Sequence, residues 1–168
     1  LCDSTLKLMK KGATGLQNLQ LLKWGTESGM KVTWNWLFGF PGEDDAELDQ
    51  WLERVELTHH LQAPVCSPVI YLERFSPYHA KPEDWGIKDV HAAQANFHVY
   101  PHAPESVDRL AFFFEGDYFK DKTHGPAHRR LMEAVERWNW AYPTSHLIQL
   151  PIGATLYLLD TRVCKVKR

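Results

Sequence analysis

The sequence predicts an α/β fold for about the first eighty residues and a mixed α+β segment after them. Helix-like and strand-like stretches alternate up to residue 78 with short connections, an order typical of parallel strands joined by right-handed crossovers. Residues 32–38 form an apolar run without alternation, which is typical of a strand buried on both faces. After Pro77 the order of elements becomes irregular.

The first half of the chain contains three predicted helices and two predicted strands. Apolar side chains at helical spacing predict helices at residues 5–11, 14–28 and 46–61. Residues 30–38 and 69–75 are rich in β-branched and aromatic side chains, which favours strands. Because a helix separates these two strands, we expect them to be parallel neighbours.

The second half offers more ambiguous patterns. Residues 89–97 have an uncertain helical pattern, and residues 107–114 suit either a strand or a helix. A proline in the first turn ahead of an apolar stripe predicts a helix over residues 126–142. Residues 148–159 predict one or two strands that close the sequence.

Composition describes a globular protein of one or two domains. The chain has 168 residues, of which 44% are hydrophobic, and a formal net charge of −2. That charge gives no electrostatic reason to expect nucleic acid, and no apolar run approaches the roughly 20 residues of a membrane span. Three widely separated cysteines form neither a disulfide framework nor a CxxC site. We expect a cytoplasmic location.

The most informative motif is the turn that follows the first predicted strand. Gly39 and Gly42 allow backbone conformations and close approaches that other residues resist, while Pro41 fixes its own φ. Glu43 then opens an acidic helix start, which the positive end of the helix dipole favours. Turns of this kind at the carboxyl ends of strands bind ligands in α/β proteins. The alternative is an ordinary connection whose glycines serve only its geometry.

Three segments in order resemble one enzyme family. They are Ser4-Thr-Leu-Lys-Leu-Met-Lys-Lys-Gly12 with the helix behind it, residues 34–43, and Leu72-Glu-Arg-Phe-Ser-Pro-Tyr78. Together they resemble the second half of a radical S-adenosylmethionine (SAM) domain. The nearest type is the cobalamin-dependent one that matures ribosomally made peptides, related to the magnesium-protoporphyrin IX monomethyl ester cyclase group. The resemblance implies that residues 1–80 form the second half of a partial (β/α) barrel and residues 81–168 a C-terminal α+β extension.

The resemblance also implies which residues help to hold SAM. They follow two strand ends and are Asn35, Gly39, Phe40, Pro41, Gly42, Glu43, Glu73, Arg74 and Ser76. A glycine turn offers main-chain groups and an apolar floor to adenine, and Arg74 is suited to pair with a carboxylate. Many members of that family have glycine at the position of Asn35. The Asn35 side chain therefore affects how tightly adenine fits. The alternative for Glu73 and Arg74 is an ion pair at a strand end.

In that family a CxxxCxxC loop near the first strand of the barrel carries a 4Fe-4S cluster, which cleaves SAM reductively to a 5′-deoxyadenosyl radical. A cobalamin-binding domain often precedes the barrel. Neither feature lies in this sequence. No three cysteines have the spacing of that loop, so we do not expect this chain to bind the cluster. The resemblance therefore implies a segment of a longer oxidoreductase or C-methyltransferase that acts on a peptide or porphyrin-like substrate. We expect the segment to rely on the N-terminal domains of that protein, to contain no catalytic residue and to be inactive alone.

Histidines give a weaker signal for metal. Nine occur, and three pairs have close spacing: His59–His60, His98–His102 and His124–His128. Prolines interrupt the second and third pairs, and the first falls at a predicted helix end that suits an imidazole. We expect packing or surface roles and assign no metal ligand.

Tryptophans occur in two Trp-Asn-Trp motifs. Trp34 and Trp36 lie in the first predicted strand, and Trp138 and Trp140 in the last predicted helix. The indoles are suited either to fill the core or to stack on a planar substrate. We favour the core.

Two other function classes stay open. In the first, the chain is a binding module whose aromatic faces dock a precursor peptide or partner without catalysis. In the second, it belongs to a (β/α)-barrel hydrolase that shares only the Gly-Phe-Pro-Gly turn, which would require carboxylates or a metal cluster at the strand ends.

The radical SAM interpretation makes a prediction about the gene. We expect the coding sequence that precedes Leu1 to encode a CxxxCxxC loop, because the cluster requires three thiolates. Reading that sequence checks the prediction, and absence of the loop removes the radical assignment.

Overall fold

The computed structural model describes residues 1–101, 103–118 and 125–163, which form a mixed α+β structure with two small sheets. The α-helices are α1 (Asp3–Leu8), α2 (Gly15–Glu27), α3 (Asp45–Arg54), α4 (Pro77–Ala80), α5 (Gln94–Val99), α6 (Pro104–Leu110) and α7 (Pro126–Ala141). The strands are β1 (Leu72–Glu73), β2 (His91–Ala92), β3 (Phe113–Glu115), β4 (Leu147–Ile152) and β5 (Thr155–Asp160). Short 3₁₀ turns occupy Val55–Thr58, Pro82–Trp85 and Tyr142–Thr144.

The chain divides into two compact units that interleave along the sequence. The first contains Leu1–Trp36, Glu43–Pro68 and the residues from Arg129 onward, and the second contains Leu37–Gly42 and Val69–His128. The division at residue 80 that the family resemblance implies stays a prediction. The second half of a partial barrel, with its α+β extension, stays a prediction.

Helix α7 supplies much of the core of the first unit. Its buried side chains recur at helical spacing, and Leu131 and Trp138 are fully enclosed. The Trp138 indole donates a hydrogen bond to the carbonyl of Leu61 at 2.9 Å, so its polar group is satisfied inside the core. The sequence-based prediction of this helix is confirmed, with an end one residue earlier at Ala141.

The four tryptophans of the two Trp-Asn-Trp motifs pack as the core interpretation predicts, with one exception. Trp34 meets Trp138 edge-on, with ring centroids 5.7 Å apart, and also contacts Trp36. Trp36 is buried and meets Trp51 edge-on at 6.4 Å. Trp140 is 80% exposed and therefore takes no part in this core.

The first predicted strand, residues 30–38, is extended but is not a regular strand. In the first unit, the Val65 amide donates to the Trp34 carbonyl and the Trp36 amide donates to the Cys66 carbonyl. In the second unit, Phe38 forms an isolated parallel bridge with Val69. The facing segment contains Pro64 and Pro68, which lack an N–H, so a continuous ladder of hydrogen bonds cannot form.

The second unit is built on a three-stranded antiparallel sheet of order β1-β3-β2. Leu72 pairs with Phe114, and Phe114 pairs with Ala92, so that these three side chains share the buried face. Val107 and Ala111, from helix α6 and its end, complete this core. The ambiguous run 107–114 is thus neither one strand nor one helix: α6 ends at Leu110, and β3 begins at Phe113.

Strands β4 and β5 form a two-stranded antiparallel hairpin in the first unit. The sequence predicts one or two strands for residues 148–159. The structure has two, and the chain turns between them at Gly153, which has a φ of 62°. Arg162 follows β5, forms an ion pair with Asp160 at 2.8 Å and donates to the Leu57 carbonyl. This contact ties the base of the hairpin to the 3₁₀ turn at Val55–Thr58.

No helix within the described ranges combines the length and apolar character needed to cross a membrane.

His59 is a buried polar group without compensation in the first unit. It is 3% exposed, and neither ring nitrogen has a hydrogen-bond partner. Its ring lies 6.1 Å from that of Trp138. Burial lowers the pKa of His59; Glu56 opposes this shift and Arg137 adds to it.

The lowered pKa of His59 predicts acid sensitivity. Because the unfolded chain binds a proton more readily than the folded chain, stability is greatest above the ordinary histidine pKa and declines as pH falls below about 6.5. We expect His59→Phe to make the free energy of unfolding less dependent on pH between about 7.5 and 5.5, measured by urea denaturation. His146→Gln, which alters an exposed imidazole, is the control and keeps the native dependence. Equal slopes in His59→Phe and the native chain contradict the prediction.

Candidate functional site

The Gly39–Gly42 turn has the backbone geometry that its sequence predicts. Gly39 has a φ of 88° and Gly42 a φ of 82°, both in the region that side chains disfavour. Gly39, Phe40 and Pro41 are buried, whereas Gly42 is exposed. The turn therefore presents its surface at Gly42.

Two tyrosines contact the turn within the second unit. The Tyr118 hydroxyl donates to the Phe40 carbonyl at 3.0 Å, and the Phe40 ring lies 6.2 Å from the ring of Tyr78. Burial raises the pKa of Tyr78, so its phenol is neutral at physiological pH. Sequence reasoning missed both tyrosines as site residues. Tyr118 lies 78 positions from Phe40, so nothing local to the motif indicates it.

The imidazole of His128 packs against the end of the extended run that leads into the turn. It stacks on the Phe38 ring with a centroid distance of 5.4 Å and an angle of 5° between the planes. Both side chains are buried. His124 and His128 are one of the histidine pairs considered for metal binding, and His124 lies outside the described residues. The ring of His128 instead supports the end of the apolar run.

Arg74 is committed to main-chain groups of the second unit. Its Nε donates to the Ala111 carbonyl at 2.6 Å, and its Nη2 donates to the Asp108 carbonyl. The guanidinium also lies 5.0 Å from the centre of the Phe114 ring. Arg74 thus closes the carboxyl end of α6, where carbonyls lack helical partners.

Glu73 and Arg74 do not form the ion pair considered as an alternative, and the structure shows none between them in its described part. The reason is geometric, because successive residues of a strand point to opposite faces. Arg74 covers the buried ring of Phe114, whereas Glu73 is exposed beside Phe113 in the register.

Ser76 and its neighbours form a tight corner after β1. The Ser76 hydroxyl accepts a hydrogen bond from the His79 amide at 3.2 Å and so caps α4. Phe75, just before it, has a φ of 70° and is 85% exposed. Burial lowers the pKa of His79, and the Arg74 guanidinium lowers it further, so this imidazole is neutral at pH 7.

Asn35 and Glu43 belong to the first unit. Asn35 is exposed, and its side-chain oxygen accepts from the Cys66 thiol at 3.3 Å. The Glu43 carboxylate accepts from the Thr5 hydroxyl at 2.9 Å. Next to it, Asp44 caps α3 by accepting from the amides of Ala46 and Glu47, which confirms the predicted acidic helix start.

The structure therefore gathers only part of the predicted site by direct contact. The turn and the segment after β1 share the second unit, where the Phe40 and Tyr78 rings connect them. No contact given for the described residues joins Glu73 to the turn.

An open groove of about 540 Å³ lies elsewhere, in the first unit. Its lining includes Gly25, Met30, Lys31, Gln62 and Tyr142. Residues 31–33 in its wall begin the extended run whose other end carries the glycine turn. Since ligands of α/β proteins bind at the carboxyl ends of strands, this groove is not the predicted SAM site.

Within the described residues, no three His, Cys, Asp or Glu side chains come together in a way that could hold a metal ion. His102 and Cys164 lie outside the described residues.

No protein-family model, no curated protein and no solved structure matches the chain.

Proposed function

We propose that the chain supplies one wall of the SAM site of a radical SAM enzyme, an oxidoreductase or C-methyltransferase acting on a ribosomal peptide or a porphyrin-like substrate. The observation that carries the proposal is the Gly39–Gly42 turn. It combines two left-handed glycines with a position directly after a run that pairs in parallel through Phe38 and Val69. The turn thus follows the carboxyl end of an extended run with one parallel bridge, which corresponds to the strand end at which α/β folds bind nucleotides.

The side chains around the turn suit an adenosine group in part. Gly42 is exposed, so its peptide groups can exchange hydrogen bonds with a purine edge, while the buried Gly39, with its φ of 88°, gives the turn its shape. Arg74 suits a carboxylate less than the sequence indicates, because two of its donors already serve carbonyls of α6. Arg74 then acts by fixing the corner next to the turn.

In an enzyme of that family, a 4Fe-4S cluster with SAM would supply radical chemistry, and cobalamin would support methyl transfer. Cysteines for such a cluster are not part of this sequence. In this proposal the residues of this chain bind and orient the ligand. We therefore assign cofactor binding to the turn and catalysis to none of these residues.

A second candidate is a peptide-binding module without catalysis. Exposed aromatic side chains in the second unit favour it: Tyr71 is 67% exposed, Phe75 85% and Phe112 49%. This candidate needs no SAM, so separate binding experiments distinguish the two.

The test is an NMR titration of the ¹⁵N-labelled chain with SAM. Because one wall makes few contacts, we expect weak binding, with half-saturation at about 1 mM or higher, and shifts at residues 38–43. Gly39→Val should abolish these shifts, since a β-branched side chain at this buried position with a φ of 88° distorts the turn.

Gly29→Val is the matched control for this titration. Gly29 has a φ of 71° and open space around its Cα, so the substitution introduces comparable backbone strain away from the turn. We expect it to lower stability and leave the SAM shifts intact. If 10 mM SAM causes no shifts at residues 38–43, or if both variants lose them equally, the SAM role of the turn is wrong.

A further inference from the structure

The sheet of the second unit has an outer face that is both aromatic and acidic. Its inner face carries the buried core residues, so the alternate positions point outward. We name Tyr71, Glu73, Phe113 and Glu115 the outer sheet face. Glu73 lies opposite Phe113 in the register, and Glu115 follows Phe113 by two residues.

The aromatic rings of this face form a continuous exposed cluster. Tyr71 and Phe113 meet edge-on with centroids 5.5 Å apart, and Phe112 meets Phe113 edge-on at 5.2 Å. Tyr71 is 67% exposed, and Phe112 and Phe113 are 49% and 45% exposed. Adjoining aromatic rings at such exposure mark an interaction surface rather than scattered surface residues.

The charges of the outer sheet face are negative. Glu73 and Glu115 are exposed, and neither belongs to an ion pair that the structure gives for its described residues. One carboxylate oxygen of Glu115 accepts a hydrogen bond from the main-chain amide of Gln94 at 3.3 Å. This contact orients the carboxylate without neutralising its charge. Strands β1, β2 and β3 contain no Lys or Arg, and His91 lies opposite Glu115. Arg74 turns to the inner face.

We propose that the outer sheet face docks a basic peptide segment, with an Arg or Lys side chain lying over the Tyr71 and Phe113 rings and its cation reaching Glu73 or Glu115. Aromatic faces attract cations through the ring quadrupole, and a carboxylate at the ring edge fixes where the cation lies. A sheet surface offers contact area but does not enclose a small molecule, which favours a peptide. The negative charge selects a basic partner and repels acidic peptides.

This inference deepens the proposed function because it names the chemistry of a peptide substrate. It rests on the proposed function in one respect, that the partner is a peptide. Its test contains no SAM. Failure of the SAM titration therefore leaves the docking result unaffected, and failure of docking leaves the turn unaffected.

The experiment measures fluorescence anisotropy of a labelled ten-residue peptide in which four arginines alternate with glycine and leucine. Two further peptides carry glutamate or glutamine in place of every arginine. We expect the arginine peptide to bind the whole chain at least tenfold more tightly than either of these. Because exposed ion pairs are screened, its affinity should fall as salt rises from about 50 to 300 mM.

Variants locate the contact. Glu73→Gln and Glu115→Gln should each weaken binding of the arginine peptide about fivefold, and Tyr71→Ser should weaken it at least as much. Glu83→Gln is the matched control: this exposed carboxylate lies in the Pro82–Trp85 turn, whose Trp85 packs against the buried core, and we expect unchanged affinity. Thermal unfolding followed by circular dichroism checks that each variant folds.

Equal affinity for the arginine and glutamine peptides overturns the proposal, because the carboxylates then play no part. An equal loss in Glu83→Gln and Glu73→Gln overturns it as well, since that result reflects overall charge. No binding of the arginine peptide at about 1 mM protein also overturns it.

Discussion

The hydrogen bond from the Ile70 amide to the Phe38 carbonyl, at 2.9 Å, is the contact on which the position of the glycine turn depends. It accompanies the isolated parallel bridge between Phe38 and Val69. Prolines at positions 64 and 68 remove donors from the facing segment, so the other main-chain bonds of the extended run, at Trp34 and Trp36, do not form a continuous ladder. The turn therefore starts from a short, well-defined contact rather than from a long strand.

Around that contact, burial divides the second unit into two sides with different chemistry. The inner side contains Leu72, Phe114 and the guanidinium of Arg74, which closes α6. The outer side keeps Glu73 and the aromatic rings exposed. Alternation along β1 is the physical cause, because it sends neighbouring residues to opposite faces. Glu73 and Arg74, which are neighbours in the sequence, therefore lie on opposite sides of the sheet and have different roles.

The elements that could be predicted are those specified by local chemistry. The stripe of α7, the acidic cap of α3 and the left-handed glycines of the turn follow from spacing and backbone preference. The partner of Phe40 could not be predicted, because Tyr118 lies 78 positions away. Nor could the division of residues 107–114, since their packing against β1 and β2 decides where helix gives way to strand.

In the candidate site too, local chemistry could be predicted and contacts between distant residues could not. The turn residues were accessible to sequence reasoning because glycine and proline have specific backbone requirements. The role of Arg74 was not, since its acceptors are carbonyls 34 and 37 positions away. Family resemblance supplied the SAM hypothesis, and the geometry of the turn supports it as a proposal.

The most direct measurement is amide hydrogen exchange of the folded chain, read residue by residue by NMR together with the cross-strand contacts of Ile70. If the Phe38–Val69 bridge positions the turn, the Ile70 amide exchanges slowly and shows a nuclear Overhauser effect to Phe38. The exposed amide of Gly42 exchanges rapidly in the same sample. Rapid exchange at Ile70 without a contact to Phe38 would contradict the parallel pairing, and with it the placement of the turn at a strand end.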